Sequence, residues 1–139
     1  MKKIMLTPVL FLLVMTSSIS KSRSIDLPTY YCKYAVVCLY NNTPYNITYN
    51  IQWGNGAWKS WTLYPGETMR HWYTYETGDN CTSPNLSIEF DFDTTSRVQN
   101  NSYALVRYQS SSNDCSDAKH YEFQCTSSNC YYIDLYSTN

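Results

Sequence analysis

Apolar and polar residues alternate with a period of two through most of the chain beyond its first twenty residues. No stretch sustains the roughly 3.6-residue period of an amphipathic helix. The segment Tyr45 to Trp53 is the cleanest case. Tyr45, Ile47, Tyr49, Ile51 and Trp53 take one face, and Asn46, Thr48, Asn50 and Gln52 take the other. Leu86 to Asp93 repeats the pattern, with Leu86, Ile88, Phe90 and Phe92 set against Ser87, Glu89, Asp91 and Asp93. Further strands are predicted at 31–40, 57–64, 68–75, 102–109, 118–125 and 130–136. Turn residues separate them, among them Asn42-Thr43-Pro44, Gly54-Asn55-Gly56, Pro65-Gly66 and Gly78-Asp79. Eight short strands at this spacing predict an all-β fold, an antiparallel β-sandwich or a small barrel.

Turn length and side-chain facing are coupled, so the first hairpin can be read in register. A two-residue Asn55-Gly56 turn would leave Trp61 and Leu63 on the polar face. A three-residue Gly54-Asn55-Gly56 loop, with Gly56 in the left-handed region, sets Tyr49 opposite Trp61 and Ile47 opposite Leu63. The second register buries more apolar surface and is preferred. It turns Trp58 and Tyr64 to the face of Asn50 and Gln52, and the core of the fold is expected to include Ile47, Tyr49, Ile51, Trp61, Leu63, Ile88, Phe90 and Ile133. In the last hairpin, strict pairing of Cys125 with Cys130 would put Ile133 and Leu135 on the wrong side. A bulge near the loop is expected to correct this.

Lys2 and Lys3 precede an almost wholly apolar run from Ile4 to Met15, and small polar residues follow. That order predicts a cleaved signal peptide over 1–20, a flexible segment over 21–29 and one β domain over 30–139. The apolar run is shorter than the roughly 20 residues of a spanning helix, so no membrane span is expected after cleavage. The destination is secreted or periplasmic. All six cysteines, Cys32, Cys38, Cys81, Cys115, Cys125 and Cys130, lie beyond the leader. An even count in a small exported chain predicts three disulfides and no free thiol, with Cys125–Cys130 as one bridge across a four-residue loop. The other pairings stay open. Zinc is disfavoured because no Cys-x-x-Cys spacing occurs, and no metal or other cofactor is expected. Five sequons, at Asn41, Asn46, Asn80, Asn85 and Asn100, are read as unglycosylated beside a leader of bacterial character.

Charge removes one class of function. Loss of Lys2 and Lys3 leaves 8 cations against 11 carboxylates, a net charge of −3, which excludes nucleic-acid binding by a basic surface. Catalytic motifs are lacking: two histidines occur, His71 and His120, and neither is near a nucleophile elbow. Glu89, Asp91 and Asp93 form an acidic row that is read as a solvated strand face rather than a cation site or glycosidase pair.

The aromatic excess is more informative. Four Trp and fifteen Tyr exceed what one small core can hide, and such rings enrich at recognition surfaces. Trp58, Tyr64 and Trp72, with Asn50 and Gln52 beside the first two, are the candidate ligand-binding residues, for a sugar or a protein surface. The expected function is a secreted, non-catalytic binding module. The alternative is a host-facing or structural secreted protein without a small-molecule site, and a hydrolase is a distant third.

The run Trp53-Gly54-Asn55-Gly56-Ala57-Trp58, then Leu63-Tyr64-Pro65-Gly66, then His71-Trp72, resembles a segment of small exported bacterial proteins of unknown function. Those proteins combine a Trp-Gly-x-Gly-x-Trp hairpin, a Leu-x-Pro-Gly turn and a His-Trp strand. The resemblance extends to Ile133-Asp134-Leu135-Tyr136, and Cys32, Cys125 and Cys130 are local additions to it. It implies a β-sandwich and carries no catalytic residue.

Overall fold

The alternating segments become strands, and they pack as two sheets. The computed structural model describes residues 32–76 and 81–139. The expected leader over 1–20, the segment 21–29 and the Asn80 sequon lie outside them. Among the described residues run β1 (Tyr34–Asn42), β2 (Ile47–Trp53), β3 (Lys59–Leu63), β4 (Thr68–Thr74), β5 (Leu86–Asp91), β6 (Asn100–Leu105), β7 (Tyr108–Ser110), β8 (Lys119–Cys125) and β9 (Ile133–Ser137). One sheet has the order β4-β1-β8-β9, with β7 beside β1; the other has the order β3-β2-β5-β6. The fold is an all-β sandwich. Pairing is antiparallel throughout except between β1 and β8, which run parallel.

The inward rows of the two sheets make the core. Val37, Leu39 and Phe123 from one sheet meet Tyr49, Ile88 and Phe90 from the other. Phe90 and Phe123 cross edge to face with centroids 5.0 Å apart. Burying each such side chain contributes about 1.5–3 kcal/mol. The run Ala35-Val36-Val37-Cys38-Leu39 does not alternate, and β1 is buried on both faces. Its outer side chains, Val36 and Cys38, pack with Ala118 and Cys115. The chain between β7 and β8 therefore covers this outer face, and Cys38–Cys115 fastens it there.

The other two disulfides are Cys32–Cys81 and the expected Cys125–Cys130; no cysteine is free among the described residues. The last hairpin departs from the expected bulge. Cys125 pairs with Ile133 and Phe123 with Leu135, a three-residue offset from strict pairing of the two cysteines. The excess is taken up inside the loop, where Cys130 adopts φ 49°. An odd offset restores Ile133 and Leu135 to the Phe123 face, as burial requires.

The predicted strand 102–109 is divided. β6 belongs to one sheet and β7 to the other. At the break, the Val106 N–H donates to the Tyr121 hydroxyl at 2.8 Å, and Arg107 donates through Nε to the Ser83 hydroxyl at 2.7 Å. These bonds satisfy the chain as it leaves its ladder, and the division gives nine strands among the described residues where eight are predicted.

Candidate functional site

The first hairpin has the three-residue register: Ile47 pairs with Leu63, Tyr49 with Trp61 and Ile51 with Lys59. One detail is corrected. Gly54, not Gly56, takes the left-handed conformation, at φ 55°. Its N–H donates to the Asn85 carbonyl at 2.6 Å, and a Cβ there would meet Pro84 at 3.0 Å. Both strain and space favour glycine at that position.

That register puts Trp61 on the inner side, yet the ring is 39% exposed. The expectation that Trp61 is core is therefore wrong. β3 is an edge strand of one sheet and β4 an edge strand of the other. A side chain on an edge is covered by the opposite sheet only where that sheet reaches it. Trp61 stands at the mouth of the sandwich, its ring T-shaped against His71 at 5.3 Å between centroids.

Between β3 and β4 the mouth opens as a groove of about 430 Å³, lined among others by Trp53, Lys59, Trp61, Arg70, His71 and Trp72. Trp72 is 41% exposed, and the Arg70 guanidinium lies over its indole, 5.5 Å from the centroid. Trp53 approaches from β2, packed against Tyr73.

The predicted recognition face is arranged differently. Trp58 and Tyr64 flank β3 on its outer side and are 42% and 53% exposed, as the register implies. The amides beside them are already engaged. Asn50 donates through Nδ2 to the Glu89 carboxylate at 3.1 Å and accepts from the Ser60 hydroxyl. Gln52 donates through Nε2 to the Gly56 carbonyl at 2.7 Å. Trp72 belongs to the other sheet, so the structure does not bring the five residues together. Trp72 shares the lining of the groove with Trp61 and Trp53 at the edge of β4, where it pairs with Val36 of the outer face. Lys59 and Arg70 were missed by sequence reasoning; their position at adjoining edges depends on which strands end each sheet.

His71 is the buried member of the groove. Its Nε2 lies 2.7 Å from the Tyr49 hydroxyl. Burial pushes the imidazole down to about 4 and the Tyr49 phenol up, so at neutral pH both are uncharged. The Tyr49 O–H donates to Nε2, because the reverse arrangement would leave the phenol hydrogen unpaired in the core. Nδ1 then carries the ring's hydrogen. No buried side-chain nitrogen is unpaired among the described residues, and Nδ1 has no hydrogen-bond partner among them, so it keeps access to solvent. Among the described residues the lining holds no carboxylate that would orient the ring as a general base.

A pH dependence follows from this burial. The unfolded chain takes up the His71 proton near about pH 6.5, the folded chain only near 4. Stability from this site is complete above about pH 6.5 and falls as the pH drops towards 4. Denaturant midpoints should show a loss of about 2–3 kcal/mol between pH 7 and 4.5, absent in His71→Gln. Equal pH dependence in both proteins would show that another group governs it.

Two other sequence features are placed differently from their reading as a solvated strand face and a surface sequon. The acidic row is not one strand face, because β5 ends at Asp91. Asp93 is buried, and hydrogen bonds from Thr95 hold its carboxyl below the usual range. Asp91 accepts from the Gln99 N–H at 2.9 Å, so these carboxylates brace the turn before β6. No group of three or more metal-binding side chains forms among the described residues. Asn41 is fully buried, and its Nδ2, the atom a glycan would need, donates to the Tyr45 and Leu63 carbonyls at 2.7 and 2.9 Å. No helix among the described residues is long and apolar enough to cross a membrane.

The chain has no match among protein-family models, curated proteins or solved structures. Its function has to be read from the groove.

Proposed function

We propose that the protein is an exported, non-catalytic carbohydrate-binding module whose ligand lies in the groove between β3 and β4. The observation that carries this reading is that Trp53 and Trp61 line the inner side of one open groove of about 430 Å³ beside His71, with Trp72 lining it at the edge of β4. Indole faces stack on the C–H faces of sugar rings, while nearby polar groups bond the hydroxyls. The hydrogen on His71 Nδ1 is one such donor. Three disulfides in so small a domain suit an oxidising, extracellular setting. The hairpin, turn and His-Trp strand that resemble exported bacterial proteins are the elements that build the groove.

A glycan array with the exported protein tests this. Trp61→Ala is expected to weaken retention by about 2 kcal/mol or more, the size of an anchor aromatic. Its effect on stability should be no more than about 1 kcal/mol, since the ring is part-exposed. Trp58→Ala should retain glycans like the parent. Failure of the parent to hold any glycan, or full retention by Trp61→Ala, would refute the site.

A further inference from the structure

The side chains on the inner side of the groove give hydrogen bonds and do not take them. Lys59 pairs with Ile51 and Trp61 with Tyr49, so both share the inner side with Trp53 and His71; Arg70 and Trp72 pair with Cys38 and Val36 of the outer face and border the groove only at the edge of β4. An indole and an ammonium carry N–H groups and no acceptor. His71 is the one inner lining side chain with an acceptor nitrogen, and that nitrogen, Nε2, already receives the Tyr49 hydroxyl at 2.7 Å. Its Nδ1 offers a hydrogen instead. Ile51 adds only apolar surface. Among the described residues the lining side chains therefore leave no acceptor free.

A sugar hydroxyl both gives and takes a hydrogen bond, so a lining of donors satisfies half of it. An acyl carbonyl only accepts. The donor on His71 is neutral, because burial holds the imidazole uncharged, and it lies beside Ile51 and the Trp61 ring. Such a setting suits an uncharged acceptor joined to a small apolar group. A carboxylate brought against a neutral donor there would lose more in hydration than it regains, and Lys59, exposed on β3, keeps its own charge in water. We propose that the inner side of the groove selects an N-acetylated sugar, its acetamido carbonyl accepting from His71 Nδ1–H and its methyl packed on Ile51 and Trp61. This rests on the carbohydrate reading above and names the class of sugar. The acetamido N–H is left for a main-chain carbonyl of β3 or β4, since each is an edge strand with one side of its ladder unpaired.

The test is titration of the full exported chain, followed by tryptophan fluorescence, with an N-acetylglucosamine trisaccharide, its deacetylated form, a glucose trisaccharide of the same linkage and a trigalacturonate. The acetylated probe is expected to bind about tenfold more tightly than the glucose probe, the worth of one hydrogen bond and one buried methyl. That preference should not change with salt, because neither probe is charged. The deacetylated probe, a cation facing donors only, should bind weakest. His71→Phe keeps a ring and removes the donor, so it should abolish the difference between the acetylated and glucose probes. A second measurement needs no substitution. Proton–nitrogen correlation spectra of the parent should place the His71 hydrogen on Nδ1, and its exchange with water should slow on adding the acetylated probe and not the glucose one. Glucose, galacturonate or free-amine binding equal to or tighter than acetylated binding overturns the acetamido selection and leaves the carbohydrate reading intact. So does an unchanged preference in His71→Phe, or a His71 hydrogen found on Nε2. Binding of none of these probes, with no glycan held on the array either, overturns both.

Discussion

The Cys38→Ala/Cys115→Ala variant is expected to be about 4 kcal/mol less stable than the parent protein. This bridge joins residues 77 apart in sequence, the longest separation of the three. In the chain-entropy view, a cross-link stabilises by restricting the unfolded ensemble, more strongly for a longer loop. Cys125–Cys130 spans a separation of 5, so its removal should cost only about 2 kcal/mol. A second cause acts on the folded side. Cys38 is buried in the outer-face cluster with Val36 and Ala118, and the covering segment would lose its fastening. Melting should therefore fall by about 20 °C for the long bridge and about half that for the short one, taking roughly 5 °C per kcal/mol for a domain of this size. An equal or larger loss from the Cys125–Cys130 pair would mean that the cover holds to β1 without its disulfide.

Phe90→Ala should cost about 3–5 kcal/mol, because the lost transfer energy and the cavity left behind add. The ring is nearly fully buried at the centre of the sandwich. It meets Phe123 of the opposite sheet at 5.0 Å and stacks with Tyr103 of its own at 5.9 Å. Neither neighbour can collapse into the space without leaving its own packing. Phe90→Leu keeps most of the volume and should cost less than about 1.5 kcal/mol. Urea unfolding of the two variants decides the matter. A cost below 1.5 kcal/mol for the alanine would show that the sheets close over the gap. Phe90 does not line the groove, so ligand affinity at temperatures where the variant is folded should be that of the parent.

The strands, their faces and the first hairpin's register were legible because each is set locally. Alternation along Ile47 to Trp53 states which side chains share a side, and turn length then states what stands across from them. The same logic anticipated Cys125–Cys130, whose partners are close in sequence. It failed where the deciding contact is distant. The run 102–109 reads as one strand, yet Ser83 and Tyr121 hold the break that sends its halves to different sheets. Trp61 was placed on the correct side and given the wrong burial. Alternation determines the side of a sheet to which a residue points; whether that side is covered depends on the reach of the other sheet. The sequence by itself determined an all-β, disulfide-stapled domain rich in tyrosine and tryptophan. Only the tertiary structure made β3 and β4 adjoining edges, and so put Trp61, Trp72, Lys59 and Arg70 around one groove. Those edges are chosen by pairings between strands far apart in the chain, above all the insertion of β1 between β4 and β8, and no local pattern encodes them.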